Sequence, residues 1–153
     1  MLALVAALAL STAPLETPEE EAAAVIDALH AAASSADGAA YFALFAPDAR
    51  FIGTDSTERW TLAEFRAYAE PYFARGQGWT YTPVERTVTV APIQCMCIAW
   101  FDEVLDSQSY GVTRGSGVLR KTRAGWKIEQ YVLSFAVPND RARAVVEAIQ
   151  APE

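Results

Sequence analysis

The sequence predicts an α+β domain in which helices pack on one face of a curved antiparallel sheet, and three observations carry that reading. Two Thr-x-x-Glu capping boxes stand ahead of stretches with helical periodicity in the first half of the chain. The second half is rich in β-branched and aromatic residues, in runs separated by turn-forming segments. The last two runs, within residues 110–135, flank Thr122-Arg123-Ala124-Gly125, where the glycine can take the positive φ of a tight hairpin. Helices first and a meander of strands last is the order of an α+β domain, not the alternation of a parallel α/β sheet.

With 153 residues, 52% of them apolar, the chain builds one full core and falls short of two ordinary domains. The domain is expected over residues 17–150. A formal charge of −7 without a basic cluster excludes nucleic acid and anionic membrane surfaces as partners. One histidine and two cysteines cannot form a typical zinc or iron site, so no metal and no cofactor are expected.

The first thirteen residues, MLALVAALALSTA, have the length and apolarity of a signal-peptide core and are too short to span a bilayer. Read as a signal, they predict export to the periplasm or the exterior; read as an ordinary buried helix, they leave the protein cytoplasmic. Cys95 and Cys97 stand two apart on an expected strand, a spacing poorly placed for a disulfide, and are predicted to be free, buried thiols.

Thr17-Pro18-Glu19-Glu20 supplies an N-cap, a proline in the first turn and a glutamate at N3, so a helix starts there and ends near Ser35. Its buried stripe is Val25, Ile26, Leu29 and Ala33, which leaves Asp27 and His30 on the expected polar side. Asp37 caps a second short helix before Pro47. A brief strand over 50–53 and another around Trp60 lead to Thr61-Leu62-Ala63-Glu64, which opens a helix with Phe65, Ala69 and Phe73 inward and Gly76 as its stop. Strands follow over 79–90, where Pro83 implies an edge or a bulge, and over 93–105. After the hairpin, an amphipathic helix runs through Val145, Val146 and Ile149.

The hairpin register places Lys121 opposite Trp126, Leu119 opposite Ile128, Gly117 opposite Gln130, Gly115 opposite Val132 and Thr113 opposite Ser134. Across the turn at 106–109, Leu105 pairs with Tyr110, which sets Asp102 opposite Thr113 and Trp100 opposite Gly115. The shared inner face is then a cavity with an apolar floor and a polar row, the usual anatomy of a small-molecule site. Its expected ligand-binding residues are Trp60, Trp100, Asp102, Thr113, Gln130 and Ser134. Trp100 over Gly115 equally reads as an aromatic filling space above a glycine. Asp102 beside an indole is a candidate general base, since desolvation raises a carboxyl pKa; at the solvated strand end it is an ordinary surface carboxylate. His30 reads as a surface residue, and Gly115-Ser116-Gly117 is not a nucleophile elbow, which needs a strand-to-helix turn and a histidine partner.

The order of elements, the phrases Leu44-Phe45-Ala46-Pro47-Asp48-Ala49-Arg50-Phe51 and Phe51-Ile52-Gly53-Thr54-Asp55, and Gly125-Trp126-Lys127-Ile128 resemble the nuclear transport factor 2-like superfamily, and within it SnoaL-like domains. The resemblance implies a cone-shaped sheet with helices on its concave face, a pocket inside the cone, and a homodimer through the outer face, for which the predicted register nominates Phe101, Arg114, Tyr131 and Leu133. Ketosteroid isomerase-type members of the superfamily use a tyrosine on the first helix, a base aspartate ending the first strand and a second acid late in the sheet. Leu29, Gly53 and Gly115-Ser116 stand at those positions here, and Asp55 is the substitute candidate base. The expected function is binding of a small, largely apolar molecule in the cone, with an isomerase, cyclase or dehydratase using an aspartate base, or a non-catalytic dimerisation domain, as the alternatives.

Overall fold

The structure, a computed structural model, describes residues 16–151, and the apolar segment 1–13 lies outside the described residues. Its elements run α1 Pro18–Ser34, α2 Gly38–Ala43, β1 Phe45–Ile52, β2 Arg59–Thr61, α3 Leu62–Phe73, β3 Thr82–Val90, β4 Ile98–Ser107, β5 Gly111–Thr122, β6 Gly125–Phe135 and α4 Ala142–Gln150. The strands form one six-stranded sheet in the order β2-β1-β6-β5-β4-β3. The sheet is mixed, because β1 lies parallel to β6 while all other neighbours are antiparallel. No helix among the described residues is long and apolar enough to cross a membrane.

Local chemistry accounts for the helix boundaries. At Thr17 and Thr61 the hydroxyl accepts the N3 amide and the glutamate side chain returns to the cap amide, so both capping boxes close. Asp37 accepts the Ala40 amide at 2.9 Å to start α2. Beyond α3 the chain turns at Gly76, whose φ of +70° suits a residue without a Cβ. β3 is one of the two edge strands and is irregular between Pro83 and Glu85, as suits a proline in a sheet.

Helices α1, α2 and α3 cover one face of the sheet around a core of aromatic rings, while α4 buries no residue. Tyr41 touches the rings of Phe42, Phe45, Phe65, Phe73 and Trp79, with centroids 5.2–6.0 Å apart. Each fully buried ring of this kind contributes about 2–3 kcal/mol through removal from water. Ile26, Leu29 and Ala33 deliver α1 to the same core.

Two register differences change which side chains enter it. At the β4–β5 turn Ser107 pairs with Gly111 around a three-residue loop, where a four-residue turn pairing Leu105 with Tyr110 was expected. Gly111 takes φ +67°, the geometry of a three-residue hairpin loop closed by a left-handed residue. The pairing therefore slips by an odd number of residues, and every β4 side chain changes face. In the β5–β6 hairpin the expected pairs Lys121 with Trp126 and Leu119 with Ile128 are present. A bulge then follows, so that Gly117 pairs with Tyr131 and Gly115 with Leu133.

The inner face accordingly carries Ala99, Phe101, Glu103 and Leu105 from β4 and Tyr131 and Leu133 from β6, all buried. Phe101, Tyr131 and Leu133, expected on the outer face, are thus core residues, and only Arg114 of that group lies outside. Trp100, Asp102, Gln130 and Ser134, expected inside, lie on the outer face.

The cysteines also differ from expectation. Residues 91–97 form an irregular connection in which Met96 sits at φ +43°, and Cys95 and Cys97 are joined in a disulfide with Cα atoms 5.1 Å apart. Off a strand, a two-residue spacing can bring the Cβ atoms together, which the extended backbone prevents.

Candidate functional site

A cavity of about 380 Å³ opens between the helices and the inner face of the sheet. Its walls are aromatic, with Phe51, Trp60, Phe65 and Trp79 contributing rings. Phe51 and Phe65 stack with centroids 3.8 Å apart, and Trp60 lies nearly parallel to Phe65 at 5.6 Å. Trp60, which the sequence nominated, is therefore a lining residue.

His30 and Tyr131 stand at the buried end of this cavity. His30 is only 9% exposed, not a surface residue, because it follows Ile26 by four positions and so shares the buried side of α1. Its Nε2 lies 2.8 Å from Oε1 of Glu103, a side chain fully enclosed in the protein. The Tyr131 hydroxyl donates to the same oxygen at 3.2 Å. Arg86 Nε donates to the other oxygen at 2.8 Å, and Arg86 Nη1 donates to Asp27 Oδ1 at 2.6 Å on the solvent side.

Gly115 makes room for this cluster. A Cβ at that position would sit 2.6 Å from both Glu103 Oε1 and the Tyr131 hydroxyl oxygen. The space above this glycine is filled not by Trp100, as one reading of the sequence had it, but by the carboxylate and the phenol.

The electrostatics assign the protons. Burial pushes the Glu103 carboxyl up, but its bonds and charge interactions with His30 and Arg86 outweigh that and hold it below the usual carboxylate range. Burial, followed by the neighbouring Glu103 charge, pushes the Tyr131 phenol well above its ordinary value, so it stays a neutral donor. An ionised carboxylate can only accept, so Nε2 of His30 is the protonated nitrogen. Nδ1 is left with no protein partner among the described residues. In the neutral ring that nitrogen carries a lone pair, and once it takes a proton the resulting imidazolium remains paired with Glu103. This is the logic of a carboxylate-oriented histidine base.

The other nominated residues fall elsewhere. Thr113 points inward but is fully buried and does not line the cavity, and its Oγ1 has no partner among the described residues. Trp100 is 46% exposed and Asp102 is exposed, both on the far side of the sheet from the cavity, with Gln130 and Ser134. Asp55 is a turn residue: its Oδ1 accepts from the Thr57 hydroxyl at 2.6 Å and the Thr57 amide at 2.8 Å, and these bonds lower its pKa. It is exposed and absent from the cavity lining, so neither candidate aspartate reaches the site. Among the described residues no group of three histidine, cysteine or carboxylate side chains comes together as a metal site.

The fold and this inward-facing polar cluster define a small α+β domain built around an internal cavity. A family model for the SnoaL-like domain matches residues 22–138, and the chain belongs to that family. Solved structures share the fold. A domain with a cystatin-like fold from Nostoc punctiforme PCC 73102 superimposes with a TM-score of 0.66 at 18% identity, covering 90% of each chain. A candidate dehydratase of the NTF2-like family from Streptomyces avermitilis gives 0.65 at 14% identity, over 78% of this chain and 96% of that one. A candidate ketosteroid isomerase from Shewanella frigidimarina NCIMB 400 gives 0.60 at 22% identity, over 76% and 97%. No curated protein matches the chain by sequence.

Proposed function

We propose that the protein binds a small, largely apolar molecule in the cavity and moves a proton on it, with His30 as the base. The observation that carries this reading is the buried His30–Glu103 pair, 2.8 Å apart at the inner end of an aromatic cavity. Glu103 orients the ring and stays ionised, and Arg86 and the neutral Tyr131 hydroxyl hold Glu103 in place by donating to its two oxygens. Such a set suits removal of a proton from carbon next to an electron-withdrawing group, the step shared by isomerisation, dehydration and cyclisation. By analogy of fold, a candidate dehydratase and a candidate ketosteroid isomerase among the structural neighbours accord with that class.

The test uses nitrobenzisoxazole, whose ring opening needs only a positioned base in an apolar site. The base takes the ring C–H proton, the electron pair forms the nitrile, and the N–O bond breaks to release a coloured phenolate. Wild-type protein is expected to accelerate this reaction, and His30→Gln to lower the rate at least about a hundredfold. Equal rates for the two proteins would remove His30 as a base.

The homodimer belongs to the same proposal but rests on different residues. Val104, Val118 and Val132 are half-buried on the outer face around the exposed Trp100, which gives that face an apolar centre for a second copy. Export of the chain remains part of the proposed picture through the apolar segment 1–13.

A further inference from the structure

The outer end of the cavity differs in chemistry from its floor. Trp60, Tyr68, Tyr81 and Tyr110 line it together with Glu58. Tyr68 is 48% exposed and Tyr110 50%, so this end meets solvent, whereas Tyr131 at the floor is 3% exposed. Trp60 and Tyr68 stack at 5.0 Å with their planes 23° apart, which holds both rings in place at the rim. Glu58 Oε2 accepts the Asp55 amide at 3.2 Å, and no lysine, arginine or histidine pairs with Glu58 among the described residues. Among the described residues no lysine or arginine lines the cavity.

A half-buried carboxylate without a cation, lining an opening shared with one indole and three phenol rings, is a poor place for an anion and a good one for an organic cation. The ring quadrupoles attract positive charge, and the carboxylate adds a net charge of the matching sign. Burial, with smaller contributions from Tyr110 and Glu58, raises the Tyr81 phenol to about 12, so this ring stays neutral beside Glu58.

We propose that the mouth of the cavity, formed by Glu58 with Trp60, Tyr68, Tyr81 and Tyr110, recognises an alkylammonium group on the ligand. This rests on the reading that the cavity is the ligand site, and it adds the class of ligand: a molecule with an apolar body directed at His30 and a protonated amine or quaternary ammonium at the opening. Neutral isosteres bind more weakly, and carboxylates or phosphates are repelled.

Choline and its neutral carbon isostere dimethylbutanol separate charge from shape. Binding is followed by quenching of tryptophan fluorescence, to which Trp60 and Trp79 on the cavity wall contribute. Wild-type protein is expected to bind choline about tenfold more tightly than the alcohol. Glu58→Gln, which keeps the acceptor for the Asp55 amide, is expected to bring the two within about threefold, and Tyr110→Leu on the exposed rim to reduce the preference in part. Choline bound no more tightly than the alcohol, binding of neither, or a preference that survives Glu58→Gln would overturn the proposal. Because this readout is binding and the ring-opening readout is turnover, either can fail while the other stands.

Discussion

Glu103 and Asp102 are neighbours on β4, and they live in different chemical worlds. Glu103 is enclosed in the inner face with His30, Tyr131 and Arg86 around it, and Asp102 is exposed on the outer face opposite Ser116. A carboxylate in water is solvated whatever its neighbours are, so its contribution to stability is small. A carboxylate taken out of water is costly unless every lone pair is used, and Glu103 uses both oxygens on three donors. The site is thus set less by residue type than by which of two adjacent acids the register turns inward.

The sharpest way to break the contrast is to remove each acid. Glu103→Ala leaves the Arg86 side chain, only 12% exposed, without its buried partner and is expected to cost about 3–5 kcal/mol in urea unfolding, whereas Asp102→Asn is expected to stay within about 0.5 kcal/mol. Similar losses for both would erase the distinction.

Acid unfolding reads the same difference without a cavity. The folded-state pKa of Glu103 is depressed, so its contribution is fully present above the unfolded value, near 4.5, and is lost as pH falls through the lower folded value. Thermal melts of wild type should therefore lose stability below about pH 4.5 more steeply than Glu103→Gln, which has no proton to gain there.

Gly115→Ala comes next, because its Cβ would meet the carboxylate and the phenol at 2.6 Å while the neighbouring Ser116 faces outward. A loss of about 1–3 kcal/mol is expected, against less than about 0.5 kcal/mol for Ser116→Ala. The smallest stability effect is expected for Trp100→Glu on the outer face, within about 0.5 kcal/mol for the folded monomer. Its readout is solution mass: a dimer in wild type and a monomer in the variant, with a wild-type monomer counting against an interface on that face.

Much of the scaffold was legible in local chemistry. Thr17-Pro18-Glu19-Glu20, Thr61-Leu62-Ala63-Glu64 and Asp37 mark helix starts through bonds spanning three residues, and the β5–β6 turn fixes the pairing of Lys121 with Trp126. The site was not legible, because it depends on strand parity far from that turn. Ile98, Trp100 and Val104 make the outer face of β4 nearly as apolar as the inner one, so alternation does not say which way Glu103 points. Gly111 carried the missing signal, since a glycine after Gln108-Ser109-Tyr110 suits a three-residue loop, and that loop alone turns Glu103 inward. The bulge next to Val118 has no comparable mark. His30 was recoverable from α1 itself: with Ile26, Leu29 and Ala33 it completes an i, i+3, i+4, i+7 stripe. Only the three-dimensional pairing brings it to Glu103, seventy-three residues away.

The central claim is that an ionised Glu103 holds a proton on Nε2 of His30, so that the neutral form of the ring carries its lone pair on Nδ1. Nitrogen-15 NMR of the single histidine in the chain reads this directly, since the two ring nitrogens of a neutral imidazole differ according to which one carries hydrogen. The expected spectrum of neutral His30 shows a protonated Nε2 and a bare Nδ1. A neutral ring protonated on Nδ1, or two nitrogens averaged by free tautomer exchange, would contradict the account.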